Sequence, residues 1–265
     1  MSGYLYVLFA LISFGASIAG AICGIGGGVI IKPTLDAFGV LSVSTISFLS
    51  GCTVLGMTCY SVIKGKMSGE SLIDMRIGTP LGIGAAIGGV AGKSMFQMLS
   101  DMFADKDMVG AVQAACLLVI TLGTLIYTIK KDQIKTHHIT NMAACVVIGL
   151  ILGIFSSFLG IGGGPINLVV LFFFFSMDTK TAAQNSLYII LFSQITSLLN
   201  TLVTRTVPEF TIWLLALMVL GGILGGMSGR IINRKIDSKV VDKLFIGLMV
   251  VIIGINIYNI YQFMH

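Results

Sequence analysis

Two stretches decide the fold: Cys23-Gly24-Ile25-Gly26-Gly27-Gly28-Val29 and Leu159-Gly160-Ile161-Gly162-Gly163-Gly164-Pro165. Each breaks a long apolar run and opens a shorter one. A shift of 136 residues carries Gly24 onto Gly160, about half the length of the chain. The same shift carries Gly26, Gly27 and Gly28 onto Gly162, Gly163 and Gly164, Ser42 onto Asp178, Thr45 onto Thr181 and Ser50 onto Ser186. A shift of 137 carries Gly88, Gly89, Gly92 and Lys93 onto Gly225, Gly226, Gly229 and Arg230. One unit of about 130 residues is therefore duplicated, and the polar stretch 130–138 joins the copies.

The 265 residues are 56% hydrophobic and only 10% charged. A soluble domain carries roughly 25% charged residues, so this chain cannot cover its surface for water. Lipid is its solvent, and a single all-α polytopic membrane domain over 1–265 follows, with repeats 1–130 and 131–265. The net charge of +5 is not a nucleic-acid footprint, because Lys and Arg fall mainly between apolar segments, where they set topology. Cys23, Cys52, Cys59, Cys116 and Cys145 all lie in apolar runs without metal-type spacing. They read as packing residues, and no cofactor, metal cluster or nucleophile–base pair is indicated. An enzyme is not expected. Residues 1–6 contain no Lys or Arg, so the first apolar run reads as a membrane span rather than a signal peptide.

Eight apolar segments, near 4–23, 43–63, 71–92, 108–129, 139–159, 181–203, 209–232 and 240–263, approach the roughly 20 residues that span a bilayer. Two short runs, 28–38 and 164–176, reach about half-way. Ser42 and Asp178 are placed as N-caps of the segments that follow. Basic connections at Lys64/Lys66, Lys130/Lys131/Lys135 and Arg230 to Lys243 belong in the cytoplasm by the positive-inside rule. The connection from Lys93 to Asp107 is net negative and belongs outside. These faces agree only if each short run turns back as a hairpin at its glycine cluster. Each repeat then crosses an odd number of times, the second is inverted, and both termini lie outside. Gly84/Gly88/Gly92 and Gly221/Gly225/Gly229, spaced by four, read as faces for close helix packing.

Glycine-rich backbone inside a membrane is tolerated where it lines protein or a watery cavity. Each cluster opens a short helix whose first N–H groups lack intrahelical acceptors and attract anions. Two such ends, related by an inverted repeat, would meet near the midplane, the usual substrate position in such transporters. The expected binding residues are Gly26, Gly27, Gly28, Lys32 and Ser50 in the first half, and Gly162, Gly163, Gly164, Asn167, Gln184, Asn185 and Ser186 in the second. Uncharged donors suit a small oxyanion that must bind and leave. The competing reading of each polar residue is a hydrogen bond between helices. Lys32, with Leu168 at its repeat position, is an intramembrane charge that would attract the anion, carry a coupling proton, or snorkel to water.

The paired clusters resemble the TauE/SafE, or sulfite exporter, family of membrane permeases: G-x-G-G-G ends the first helix of each half, before a polar turn, in a two-repeat chain of this length. Pro33, five residues after Gly28, matches the family pattern, whereas Val169 stands at the second-half position and Pro165 follows the cluster directly. The family's Thr-Ser pair reads Leu49-Ser50 and Asn185-Ser186 here. The resemblance implies a secondary transporter of a small sulfur-containing anion such as sulfite, thiosulfate or an organosulfonate, by alternating access, compatible with proton coupling, in a bacterial cytoplasmic membrane. The alternatives are a passive anion channel and a non-transporting scaffold.

Overall fold

The computed structural model describes residues 3–103, 106–161 and 163–264. Among the described residues there are ten α-helices and one short 3₁₀ turn. The first half holds α1 (Gly3–Cys23), α2 (Gly28–Asp36), α3 (Val43–Met67), α4 (Met75–Met102) and α5 (Lys106–Lys130). The second holds α6 (Met142–Phe158), α7 (Pro165–Phe175), α8 (Thr179–Val203), α9 (Ile212–Lys235) and α10 (Ser238–Met264). Six of these are long and apolar enough to cross a membrane: α1, α3, α5, α8, α9 and α10. Helix α6 is short at 17 residues, and α4 is long but rich in glycine.

The caps fall where the polar turns placed them. The Ser42 side chain accepts from Thr45 N at 3.2 Å, and Asp178 accepts from Lys180 N at 3.1 Å. Each satisfies an N–H that the first helical turn leaves unpaired.

Both hairpins form. Phe38, just past α2, stacks on Phe9 of α1 at 5.8 Å between ring centroids, so α2 returns along α1. The N–H of Ile139, before α6, donates to the carbonyl of Phe174 at the end of α7 (2.9 Å), so α7 returns to where α6 begins. Gly24 and Gly160, with φ of 76° and 65°, make the two turns in the left-handed region that favours glycine.

The halves exchange partners. Helix α4 packs on α6 and α9 packs on α1. A side chain at Gly84 would run into the Val146 carbonyl, at Gly88 into that of Leu150, and at Gly92 into that of Ile154. The other stripe behaves alike. Gly221, Gly225 and Gly229 lie on the carbonyls of Ala10, Phe14 and Ile18. The contact numbers rise together in both pairs, so α4 points with α6 and α9 points with α1. Without a hydrophobic drive between helices in lipid, this backbone contact supplies the packing. The main buried cluster joins Ile25 and Val29 of the first hairpin to Ile161 and Leu168 of the second.

Two stretches read as connections are helical. Lys93 lies in α4, which runs on to Met102, and Arg230 and Arg234 lie in the last turns of α9. A helix does not end where its apolar run ends, because a charged residue facing a polar cavity costs it little.

Candidate functional site

The tips of the two hairpins touch. The α-carbon of Gly28 is pressed on the backbone of Ile161, where any Cβ would collide with the carbonyl oxygen. A Cβ at Gly164 would lie 3.1 Å from Ile161 Cδ1 and 3.6 Å from Val29 Cγ2. The flanks repeat: Gly24 packs on Ala183 of α8, and Gly160 packs on Ser47 of α3, its counterpart. Gly26, Gly27, Gly28, Gly163 and Gly164 are all buried here, while Gly162 lies outside the described residues. The first turns of α2 and α7 thus face the seam between the halves.

Around this plug, several buried side-chain oxygens have no hydrogen-bond partner. They include Ser50 and its repeat mate Ser186, Ser47 and Ser157 beside Gly160, Ser17 beside Gly27, and Asn167 Oδ1. Buried polar groups are normally satisfied, so a group of orphans marks space for a water or a polar ligand. Asn167 Nδ2 lies close to Gly163, 3.4 Å from where a Cβ would sit.

Two of the expected ligands are already engaged. Asn185 accepts from Asp74 N (3.2 Å) and donates to Leu72 O (3.1 Å) and Thr181 O (2.9 Å). Gln184 Oε1 accepts from Leu72 N (2.8 Å). These two amides hold the α3–α4 connection. Lys32 is not a free cation either. Its Nζ pairs with Asp36 Oδ2 at 2.7 Å, with both side chains 5% exposed.

The sequence reading missed two cavities. One, of about 60 Å³, lies among Gly65, Glu70, Gln184, Arg230, Asn233 and Arg234. Arg230 donates to Ser61 O (3.0 Å) and Ser68 Oγ (2.7 Å) and pairs with Glu70 (3.3 Å), which also pairs with Arg234 (2.5 Å). The other, of about 20 Å³, lies among Ser47, Gly51, Lys93, Ser157, Gly160 and Gln194. Lys93 also lines a wider cavity of about 230 Å³ with Gln97, Asp101 and Thr206. The first two are repeat images. The shift of 136 carries Ser47 onto Ala183, Gly51 onto Leu187 and Ser61 onto Ser197, and the shift of 137 carries Lys93 onto Arg230. Along α3, Ser47 lines one cavity and Ser61 the other, roughly 20 Å apart at 1.5 Å per residue. The repeat offset that relates Lys93 to Arg230 is the sequence signal for these cavities.

The basic connections gather at the Arg230 end. Besides the Glu70 pairs, Lys131 bridges to Asp242 at 2.7 Å and donates to Thr179 at 3.2 Å.

The fold and site define a polytopic helical membrane protein whose two glycine hairpins meet between repeat-related polar cavities. The sulfite exporter TauE/SafE family model matches residues 9–257, so the chain belongs to that family, one of membrane transporters. The chain is also similar to a probable membrane transporter protein of Haemophilus influenzae, at 30% identity over 162 residues. That match takes in 60% of this chain and spans 59% of the relative's length. No solved structure gives a significant match.

Proposed function

We propose that this chain carries a small anion across the membrane by alternating access, through a shared site at the glycine tips. The observation that carries the reading is the pair of repeat-related cavities at opposite ends of α3 and α8, each with a cation at the matching repeat position, Lys93 or Arg230. The parallel pairs α4–α6 and α9–α1 support inverted repeats, since matching helices then run oppositely. Arg230 and its basic neighbours face the cytoplasm and Lys93 faces outside. An anion is drawn in by one cation, passes the N–H groups of α2 and α7 and the orphan hydroxyls, and leaves by the other. Rocking one bundle against the other opens the two cavities in turn. The family supports a sulfur-containing anion such as sulfite, thiosulfate or an organosulfonate, and a multi-pass place in a bacterial cytoplasmic membrane.

The test is reconstitution in liposomes with labelled sulfite and thiosulfate. Saturable flux is expected, with Gly27→Val and Gly163→Val folded but inactive. Normal flux in both variants would remove the glycine tips from the path. Flux that rises linearly without saturation would make the protein a channel.

A further inference from the structure

The Lys32–Asp36 pair belongs to no cavity of the proposed anion path, and the second half has Leu168 and Phe172 in its place. It is an i,i+4 pair on the 9-residue helix α2. An ion pair this deep is a poor stabiliser, because desolvation consumes most of the attraction. An intramembrane charge calls for a function.

The surroundings are built for a proton. The pair lines a cavity of about 10 Å³ with Gln113 of α5, Leu159 at the end of α6 and Asn256 of α10. That is about the room one water needs. Asp36 Oδ1 and Gln113 Oε1 are both buried without partners, as is Oδ1 of Asn259, one turn on from Asn256. Asn259 Nδ2 donates to Pro33 O at 2.8 Å, which ties α10 to the same helix. Among the described residues that line this cavity from α5, the end of α6 and α10, none titrates. Toward α1 and α3, helix α2 turns Ile31 and Leu35 into an apolar cluster with Phe9, Ile46 and Leu49, against which Tyr6 packs. Ser47 of α3, beside Gly160, carries no charge. Lys32 leans the other way: its Cε lies 3.4 Å from where a Cβ on Gly160 would sit, at the second glycine tip.

We propose that Asp36 is the proton-coupling site and that Lys32 hands its charge from Asp36 to the anion. The proposal rests on the anion-transport reading above. A proton from the aqueous phase adds to the Asp36 carboxylate and breaks its ion pair with Lys32. The released ammonium then pairs with an anion at Gly160. With neither proton nor anion, Lys32 and Asp36 cancel. With one proton and one singly charged anion, Lys32 and the anion cancel. Either bound alone leaves a net charge buried in the membrane. Only the empty and the doubly loaded forms cross cheaply, which makes the cycle a one-to-one symport.

Two measurements on the full-length protein in liposomes test this. Infrared difference spectra on acidification are expected to show a protonated carboxyl band that shifts in Asp36→Glu and vanishes in Asp36→Asn. Labelled sulfite uptake is expected to be driven by an inward proton gradient in wild type and in Asp36→Glu. In Asp36→Asn, gradient-driven accumulation should fall at least ~10-fold, and residual exchange should lose its pH dependence. If the band does not titrate, or if Asp36→Asn accumulates sulfite as wild type does, the coupling site is overturned. If the band titrates but wild type moves neither sulfite nor thiosulfate, the anion-transport reading falls and the proton site stands. Should Asp36→Asn fail to fold, the wild-type and Asp36→Glu spectra still decide.

Discussion

Where the α1–α2 hairpin carries Lys32, Pro33 and Asp36, the α6–α7 hairpin carries Leu168, Val169 and Phe172. The two hairpins share a turn, a return path and a place against the other half, yet one hides an ion pair and the other carries no charge, with Asn167 the polar side chain of its short helix. Their tips differ too. Gly28 abuts backbone, while Gly164 abuts only side chains. The two hairpins match in their backbone, and the difference lies in what each short helix carries. In the proposed path the repeat gives two equivalent mouths. It does not explain the Lys32–Asp36 pair, which in the proposed cycle has a task performed once.

The largest test of this contrast is Lys32→Met, which leaves Asp36 charged and alone. A loss of about 3–5 kcal/mol of stability is expected, as for other broken buried pairs. Leu168→Met at the matching position should cost under about 1.5 kcal/mol. Thermal unfolding in micelles measures both, and the double variant Lys32→Met/Asp36→Leu should regain most of the loss. Equal effects at 32 and 168 would break the comparison. Next come the tips. Gly28→Ala drives a methyl group into backbone and should cost at least about 1–3 kcal/mol, whereas Gly164→Ala, with extended backbone and movable neighbours, should stay within ~1 kcal/mol. The same unfolding assay reads the difference.

The two mouths should differ by side rather than by size. Lys93→Ala is expected to raise the half-saturation concentration about tenfold for anion offered at its own face. Arg230→Ala should do the same at the other face, each a loss of ~1.4 kcal/mol. Oriented vesicles separate the two. Equal effects from both sides would mean that the cations act at one shared site. The smallest effect is expected of Glu70→Gln. Glu70 is 39% exposed and bridges Arg230 and Arg234. Its loss should change stability by under ~1 kcal/mol in an unfolding scan.

The hairpins and the packing role of the glycine stripes were legible because each rests on a local rule: a half-length apolar run, glycines four apart. What escaped was long-range pairing. Gln184 and Asn185 announce their polarity, but their choice of Leu72 depends on a connection more than 100 residues away. Lys93 and Arg230 look like topology charges when read against apolar flanks, and only the continuation of α4 and α9 turns them toward cavities. Asp36 sits one helical turn from Lys32, within reach of an i,i+4 rule. Its burial is a matter of long-range packing, since α5 and α10 close over it.

The exchange of partners between halves bears on how the protein is made. Helix α1 waits for α9, and α4 waits for α6, to cover their backbone-to-backbone seams. A ribosome that has released only the first five helices has therefore produced two uncovered grooves and half of a plug. The first half should be short-lived when made alone. Supplied in trans, the second half should rescue it, with the polar stretch after α5 as the natural place to split the gene.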